Sequence, residues 1–362
     1  METSRQRAVR IFLAVLAVLG TGTAACGTIL GDVPDGHLTD TPDAGAPGDA
    51  NVPKALPDGT IGSTTNATIL DMAVDDTDVF WLSVGRRDGG RVFAIEACPK
   101  NGSSPARTMT TLNVEPKALA LSNDYVLWSV DRAQNDSGGV WRIRKEGGTP
   151  PSTPWVPLEH AGPLAYAADS GRIHIGMANG GIEVYVPDGD GGRAWGLAPP
   201  PFNPGAVSSM VVSDTTVYWS RLGPNDILTI PSHVQQVLQP DPFAGASSSA
   251  PSFLASDNGT LYWAVPGTSD VTLYSQRTAN AQAVAVTTAI GGFADLAVRN
   301  GIYWTTNDGG KAAVWHCAPN PTCTAERLWE GDASVSRIAV DDTDVYFAVG
   351  VGADTHILKH AK

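Results

Sequence analysis

Seven tandem units of strand and tight turn predict an all-β fold: a seven-bladed β-propeller with four-stranded antiparallel blades. The first observation behind this is an echo of apolar strand, polar turn and aromatic pair. It reads Met72-Ala-Val-Asp-Asp-Thr-Asp-Val-Phe-Trp81 and Leu119-Ala-Leu-Ser-Asn-Asp-Tyr-Val-Leu-Trp128, then Val217-Tyr-Trp219, Leu261-Tyr-Trp263, Ile302-Tyr-Trp304 and Val345-Tyr-Phe347. A worn copy, Arg172-Ile-His-Ile175, stands third. The second observation is the spacing. The closing residues step by 47, 47, 44, 44, 41 and 43 positions, and a period in the forties made of strands is a propeller signature. The third lies at the ends. The last unit stops at His356-Ile-Leu-Lys-His360, a third strand without a fourth, while Gly59 to Asn66 is an orphan before the first unit. Pairing the N- and C-terminal strands is expected to close the ring and remove open sheet edges.

Each element of the unit has a physical reason. A blade packs between two neighbours, so both its faces are covered and its strands need not alternate apolar with polar. Val-Tyr-Trp strands suit that crowded surface, because β-branched and aromatic side chains fill a pleated sheet well. Small residues precede each closing aromatic by eight positions: Ala73, Ala120, Ala167, Ala255 and Ala339, with Ala297 one position closer and Val211 in the fourth unit. They are expected on the innermost strands, where room is scarcest. The turns that follow carry Asp-Asp-Thr-Asp, Ser-Asn-Asp or Ser-Asp-Thr, all strong turn formers. Third strands are read at Gly90–Ile95, Gly139–Ile143, Gly181–Tyr185, Val271–Tyr274 and Ala313–His316.

Residues 1–25 read as a signal peptide. Arg5, Arg7 and Arg10 precede a short apolar run from Ile11 to Leu19, and small residues lead to Thr23-Ala24-Ala25-Cys26. The run is too short to span a bilayer and fits an export signal. Residues 26–57 are rich in Pro, Gly, Asp and Ala, a composition that cannot offset its ordering entropy and is expected to be a flexible linker. Such a linker reaches on the order of 30 Å. Residues 58–362 form the propeller. The formal charge is −13, and loss of three Arg and one Glu with the signal takes it to −15. That balance argues against nucleic acid and anionic lipid surfaces as partners.

The repeats resemble those of bacterial seven-bladed propellers of the YVTN/NHL-like kind, notably envelope lipoproteins abundant in myxobacteria. Their units read roughly Ile-Ala-Val-Asp-x-x-x-Val-Tyr-Trp followed by a Gly-led strand, and the resemblance covers about 58–362. The segment ending at Cys26 is similar to a bacterial lipobox, with Thr23 where that pattern usually has Leu. The resemblance implies lipidation of Cys26 and a bacterial envelope location, periplasmic or at the cell surface; simple cleavage after Ala25 is the alternative.

Cys317 and Cys323 flank a turn with two prolines, so their thiols are placed to meet across a hairpin, and a disulfide is expected in an exported chain. A metal site with His316 as third ligand is the alternative, and it lacks a Cys-x-x-Cys spacing. Cys98 occupies the matching place in the first unit, with Ser104 where a partner would stand. Asp188-Gly-Asp190-Gly-Gly starts like a calcium loop, but Pro199 stands where a bidentate Glu belongs. Thr306-Asn-Asp-Gly-Gly310 partly matches a sialidase Asp-box and lacks its closing Trp. His356 and His360, four apart on a strand, are separated by about 13 Å, and no nucleophile elbow or phosphate loop is present. Hence no catalytic residue, metal ligand or cofactor is assigned.

The reading is therefore a non-catalytic scaffold, expected as a monomer, that binds protein or glycan on one face of the disc. The long stretches 199–204 and 241–250 are candidate binding loops. Two alternatives remain: a central-channel enzyme, such as a lyase or glycan hydrolase, and a structural lipoprotein without a specific ligand. Acids, bases or arginines converging on the axis favour the enzyme; Ala, Val, Ser and Gly there favour the scaffold.

Overall fold

The computed structural model describes residues 59–362 apart from 88–89, 132–137, 150, 187–194, 198–204, 234–239, 245–248, 278, 280 and 320–322. The signal and linker with Cys26, the Asp188–Asp190 turn, the 199–204 stretch and part of 241–250 lie outside the described residues. The rest forms seven four-stranded antiparallel sheets, taken in chain order. Blades 1 to 6 span 67–112, 116–157, 161–197, 207–244, 252–290 and 293–331. Blade 7 combines 334–361 with the N-terminal strand Thr60–Thr64. The first strand of every blade contacts the first strands of both neighbouring blades, including blade 7 against blade 1. The first strands therefore line the axis and the wheel is closed.

The seam has its own fastenings. Thr60–Thr64 runs antiparallel to Asp354–Ala361, pairing Thr60 with Leu358 and Thr64 with Thr355. Lys359 N donates to Gly59 O at 2.9 Å, and Thr355 Oγ1 donates to Ala67 O at 2.6 Å. Gly59 has φ +82° and a Cβ there would lie 2.7 Å from Lys359 O, so only glycine lets the chain enter the sheet this closely. Sequence supplied the missing fourth strand from the other end of the chain, as its incomplete last unit implied.

The core is a set of wedges between blades rather than one central mass. Between blades 1 and 2, Phe80, Leu82 and Ile95 pack with Leu119, Trp128 and Ile143. Between blades 7 and 1, Ile69 and Trp81 pack with Tyr346 and Ile357. Trp81, Trp128 and Trp219 are almost fully buried, each large side chain contributing about 1.5–3 kcal/mol on leaving water. That is why the aromatic pair repeats: each wedge needs its own filling.

One detail differs from the sequence reading. The residue equivalent to Ala73, which pairs with Phe80, is Ala165, paired with His174, whereas Ala167 pairs with Arg172 at the strand end. Blade 3 has a longer turn, so counting back eight positions overshoots. The alanines lie on the innermost strands, as expected, and pack into the wedges between blades. The turns behave as their chemistry predicts. Asp75 Oδ1 accepts from Thr77 N, Thr77 Oγ1 and Asp78 N, and Asp341 Oδ1 does the same from Thr343 and Asp344. These clusters are turn-builders.

Candidate functional site

Among the described residues, the innermost strands of blades 6, 7 and 1 carry the charged side chains Asp295, Arg337 and Asp71. Every first strand has a register irregularity just before its buried apolar residue. The residue at that point is Asp71, Ala118, Pro163, Ser209, Phe253, Asp295 and Arg337 in blades 1 to 7. A bulge re-aims side chains out of the ordinary alternation, and here it turns them toward the next blade. Asp71 Oδ2 accepts from Leu119 N of blade 2 at 2.7 Å, Ser209 Oγ from Leu254 N of blade 5 at 3.0 Å, and Asp295 Oδ2 from Ile338 N of blade 7 at 3.0 Å. The other carboxylate oxygens take Met72 N and Leu296 N, both at 2.9 Å.

Blade 7 reverses the polarity. Arg337 Nε donates to Leu70 O of blade 1, and its Nη1 donates to Ser336 O at 2.8 Å. The guanidinium thus sits within electrostatic reach of Asp71 on one side and Asp295 on the other. Burial pushes the Asp295 carboxyl up to about 6, against the opposing pull of Arg337 and two N–H groups. Asp71 is raised for the same reason. Blades 6, 7 and 1 therefore contribute an acid, a base and an acid to one stretch of the rim, while blades 2, 3 and 4 contribute Ala118, Pro163 and Ser209.

Phe253 is the odd member. Of the described non-glycine residues with positive φ, the other members are Asn or Asp; Phe253 has φ 52°. A bulky side chain in the left-handed region is a genuine outlier. Its ring meets Phe293 edge to face at 5.3 Å, so a half-buried aromatic pair stands beside Asp295.

The face of the disc made by the turns between first and second strands carries clasps between blades. Lys145 of blade 2 pairs with Asp75 of blade 1 at 2.9 Å, and Lys100 of blade 1 pairs with Asp341 of blade 7. Ser232 of blade 4 donates to Asp169 of blade 3 at 3.2 Å. On the other face, in the hairpin between second and third strands that resembled an Asp-box, Asn307 joins blades 6 and 7: its amide bonds Val335 N and O at 2.8 and 2.9 Å.

The other singled-out residues do not converge. Cys317 and Cys323 are joined, with Cα atoms 5.6 Å apart, and Cys98 is a buried free thiol. Burial first, then the nearby Asp78 charge, pushes Cys98 up to about 12, so it is an inert packing residue. His174 is buried and held neutral, its value lowered to about 4 by desolvation. Among the described residues no group of His, Cys, Asp or Glu has the arrangement of a metal site.

No family model and no curated protein matches the chain. Solved structures do, at the level of fold. The β-propeller domain of the Trilobed protease from Pyrococcus furiosus matches with TM-score 0.59 and 11% identity, covering 82% of this chain and 97% of that one. Virginiamycin B lyase from Staphylococcus aureus matches with TM-score 0.59 and 14% identity over the same shares, 82% and 97%. A chain of the Mitotic Checkpoint Complex matches with TM-score 0.60 and 10% identity, over 88% and 99%. These likenesses establish a seven-bladed propeller and nothing finer. The Pyrococcus domain is described as having an open velcro topology; here the N-terminal strand fastens the seam.

The sequence reading missed Asp71, Asp295 and Arg337. Each immediately precedes the first apolar residue of its unit, Met72, Leu296 or Ile338. That column carries Asp, Ala, Pro, Ser, Phe, Asp and Arg in the seven units, so no repeat marks it.

Proposed function

We propose that this chain is an exported binding propeller, anchored through a lipid on Cys26 and displaying its disc at the bacterial envelope to a protein or glycan, without catalysis. The observation that carries the non-catalytic reading is the engagement of the axial acids. All four carboxylate oxygens of Asp71 and Asp295 hold backbone N–H groups, and Arg337 is tied to two backbone carbonyls. Groups committed to fastening blades are poorly placed to shuttle protons, since catalysis needs an acid or base free to move its proton to a substrate. The YVTN/NHL-like pattern of the repeats and the lipobox-like Thr23-Ala24-Ala25-Cys26 support the envelope assignment. Mass spectrometry of the mature N-terminus tests the anchor: a diacylglyceryl-modified Cys26 supports it, and an unmodified N-terminus removes it. Capture from detergent-solubilised envelopes, compared with a variant lacking the propeller, tests the binding role.

A second reading rests on Asp295, whose carboxyl, raised to about 6, lies in the range of a general acid. Under that reading a central-channel lyase or glycan hydrolase loses turnover in Asp295→Asn while retaining ligand affinity. Under the binding reading there is no turnover to lose.

A further inference from the structure

We propose that the outer strand of blade 5, Val284–Ile290, is the surface through which two copies of this chain pair, edge to edge, into a reversible dimer. The proposal goes beyond the binding reading above and does not depend on it. The monomer expected from the sequence becomes one side of an equilibrium.

The outer strand of each blade carries backbone N–H and C=O groups that its own sheet leaves unpaired, a template for another strand unless something blunts it. Six of the seven are blunted or short. That of blade 1, Arg107–Leu112, begins with an arginine paired to Asp78 at 3.0 Å, and that of blade 6, Glu326–Gly331, carries three charged residues. Asp241–Ala244 of blade 4 contains Pro242, and Val156–Pro157 of blade 2 ends on a proline. Trp195–Leu197 of blade 3 has 3 residues, and Thr60–Thr64 of blade 7 has 5, with Gly62 in the middle.

Val284–Ile290 has none of these devices. At 7 residues it is the longest of the outer strands among the described residues, and it reads Val-Ala-Val-Thr-Thr-Ala-Ile. From Thr278 to Ala294 the chain has no charged residue and no proline. Its inner edge is taken by Asp270–Gln276, and among the described residues no strand lies on its outer edge. The register shift beside Val286 has counterparts in blades 1, 4 and 6, so it does not set this edge apart. Val286 is buried in the wedge between blades 5 and 6 and anchors the strand. Ala285 and Thr288 are exposed. Val284 is 43% exposed, one of two large apolar side chains left in the open among the described residues.

Charge selects the occupant. With 37 acidic residues against 24 Lys and Arg, two copies repel one another over most of their surfaces. This strand is where they meet without that repulsion. Antiparallel pairing about a two-fold axis brings the same Val and Thr residues from both sides, and β-branched side chains are favourable cross-strand partners. A foreign peptide is selected through its side chains, whereas Val284, Ala285 and Thr288 present a small, uncharged surface that matches itself. Each copy brings a single such edge, so the contact closes at two copies and does not grow into a fibre. Seven residues span about 24 Å, a small contact beside a standard interface, so the dimer dissociates on dilution.

Sedimentation equilibrium of the full chain in density-matched detergent measures the pairing. A monomer–dimer equilibrium is expected, and Val284→Lys, which sets like charges together at the contact, raises the dissociation constant at least about tenfold. Its thermal melt stays that of the wild type, because an exposed side chain is changed. Should Val284→Lys fail to fold, Thr288→Lys carries the test. Thr111→Lys, at an exposed position on the outer strand of blade 1, leaves the dissociation constant unchanged, which separates pairing through this edge from association through the N-terminal segment. A chain that stays monomeric at every concentration, or whose association is indifferent to Val284→Lys and Thr288→Lys, overturns the proposal. In cells, a photo-reactive residue in place of Thr288 crosslinks to a second copy; crosslinks only to a different protein overturn the proposal and give the edge another occupant.

Discussion

Asp295 gives the molecule an unusual response to pH. Burial outweighs Arg337 and the two N–H donors, so its carboxyl titrates at about 6 rather than near 3.8. The folded state therefore holds this proton more tightly than the unfolded chain does. The corresponding stability is fully present below pH 4 and is lost as pH rises toward and through 6, a swing of up to about 3 kcal/mol. Asp341 and Asp75 act the other way. Burial works against ionisation there as well, but Lys100 or Lys145 and the turn N–H groups outweigh it and hold both carboxyls below the ordinary range. Their contribution is present above pH 4 and lost as pH falls. Thermal melts of wild type and Asp295→Asn between pH 4 and 7 separate the two effects: the wild type loses stability across that window relative to the variant. Parallel curves contradict the assignment.

At the scale of elements, the seam strand and the hairpin bridge make separate predictions. Removing residues 58–66 deletes Thr60–Thr64 and exposes the pairing edge of Asp354–Ala361, together with part of the wedge filled by Tyr346 and Ile357. The melting temperature is expected to fall sharply, and an unchanged melt contradicts closure by this strand. The Cys317–Cys323 bridge closes a short loop, with a separation of 6 residues, so its loss in Cys317→Ser/Cys323→Ser costs only about 2 kcal/mol. Chemical denaturation reads that difference, and a loss of more than twice this size indicates a role beyond loop closure. The elements were legible in the sequence because each unit must fill its own wedge, which forces Val-Tyr-Trp and Leu-Tyr-Trp to recur. Blade 3 was less legible, since its longer turn shifted Ala165 away from the expected count. The axial residues were illegible for a different reason: a rim position needs only to fasten the next blade, and Asp, Ser and Arg do so by different chemistry. Such a position shows no repeat.

For the whole molecule, the face made by the first turns is a fastening surface. The turn face is occupied by Lys–Asp and Ser–Asp clasps between consecutive blades, and both described chain ends emerge there, with Lys359 N bonded to Gly59 O. The axial constellation depends on the wheel being shut, because Asp295, Arg337 and Asp71 come from the blades on either side of the seam and from the seam blade itself. An open wheel separates Arg337 from Leu70 and Asp71. Hydrogen–deuterium exchange of the full chain measures this directly. The amides of Thr60–Thr64 are predicted to exchange as slowly as those of Asp354–Ala361 and to open together with them; exchange of the N-terminal strand within seconds, while blade 7 stays protected, contradicts a wheel fastened by its own two ends.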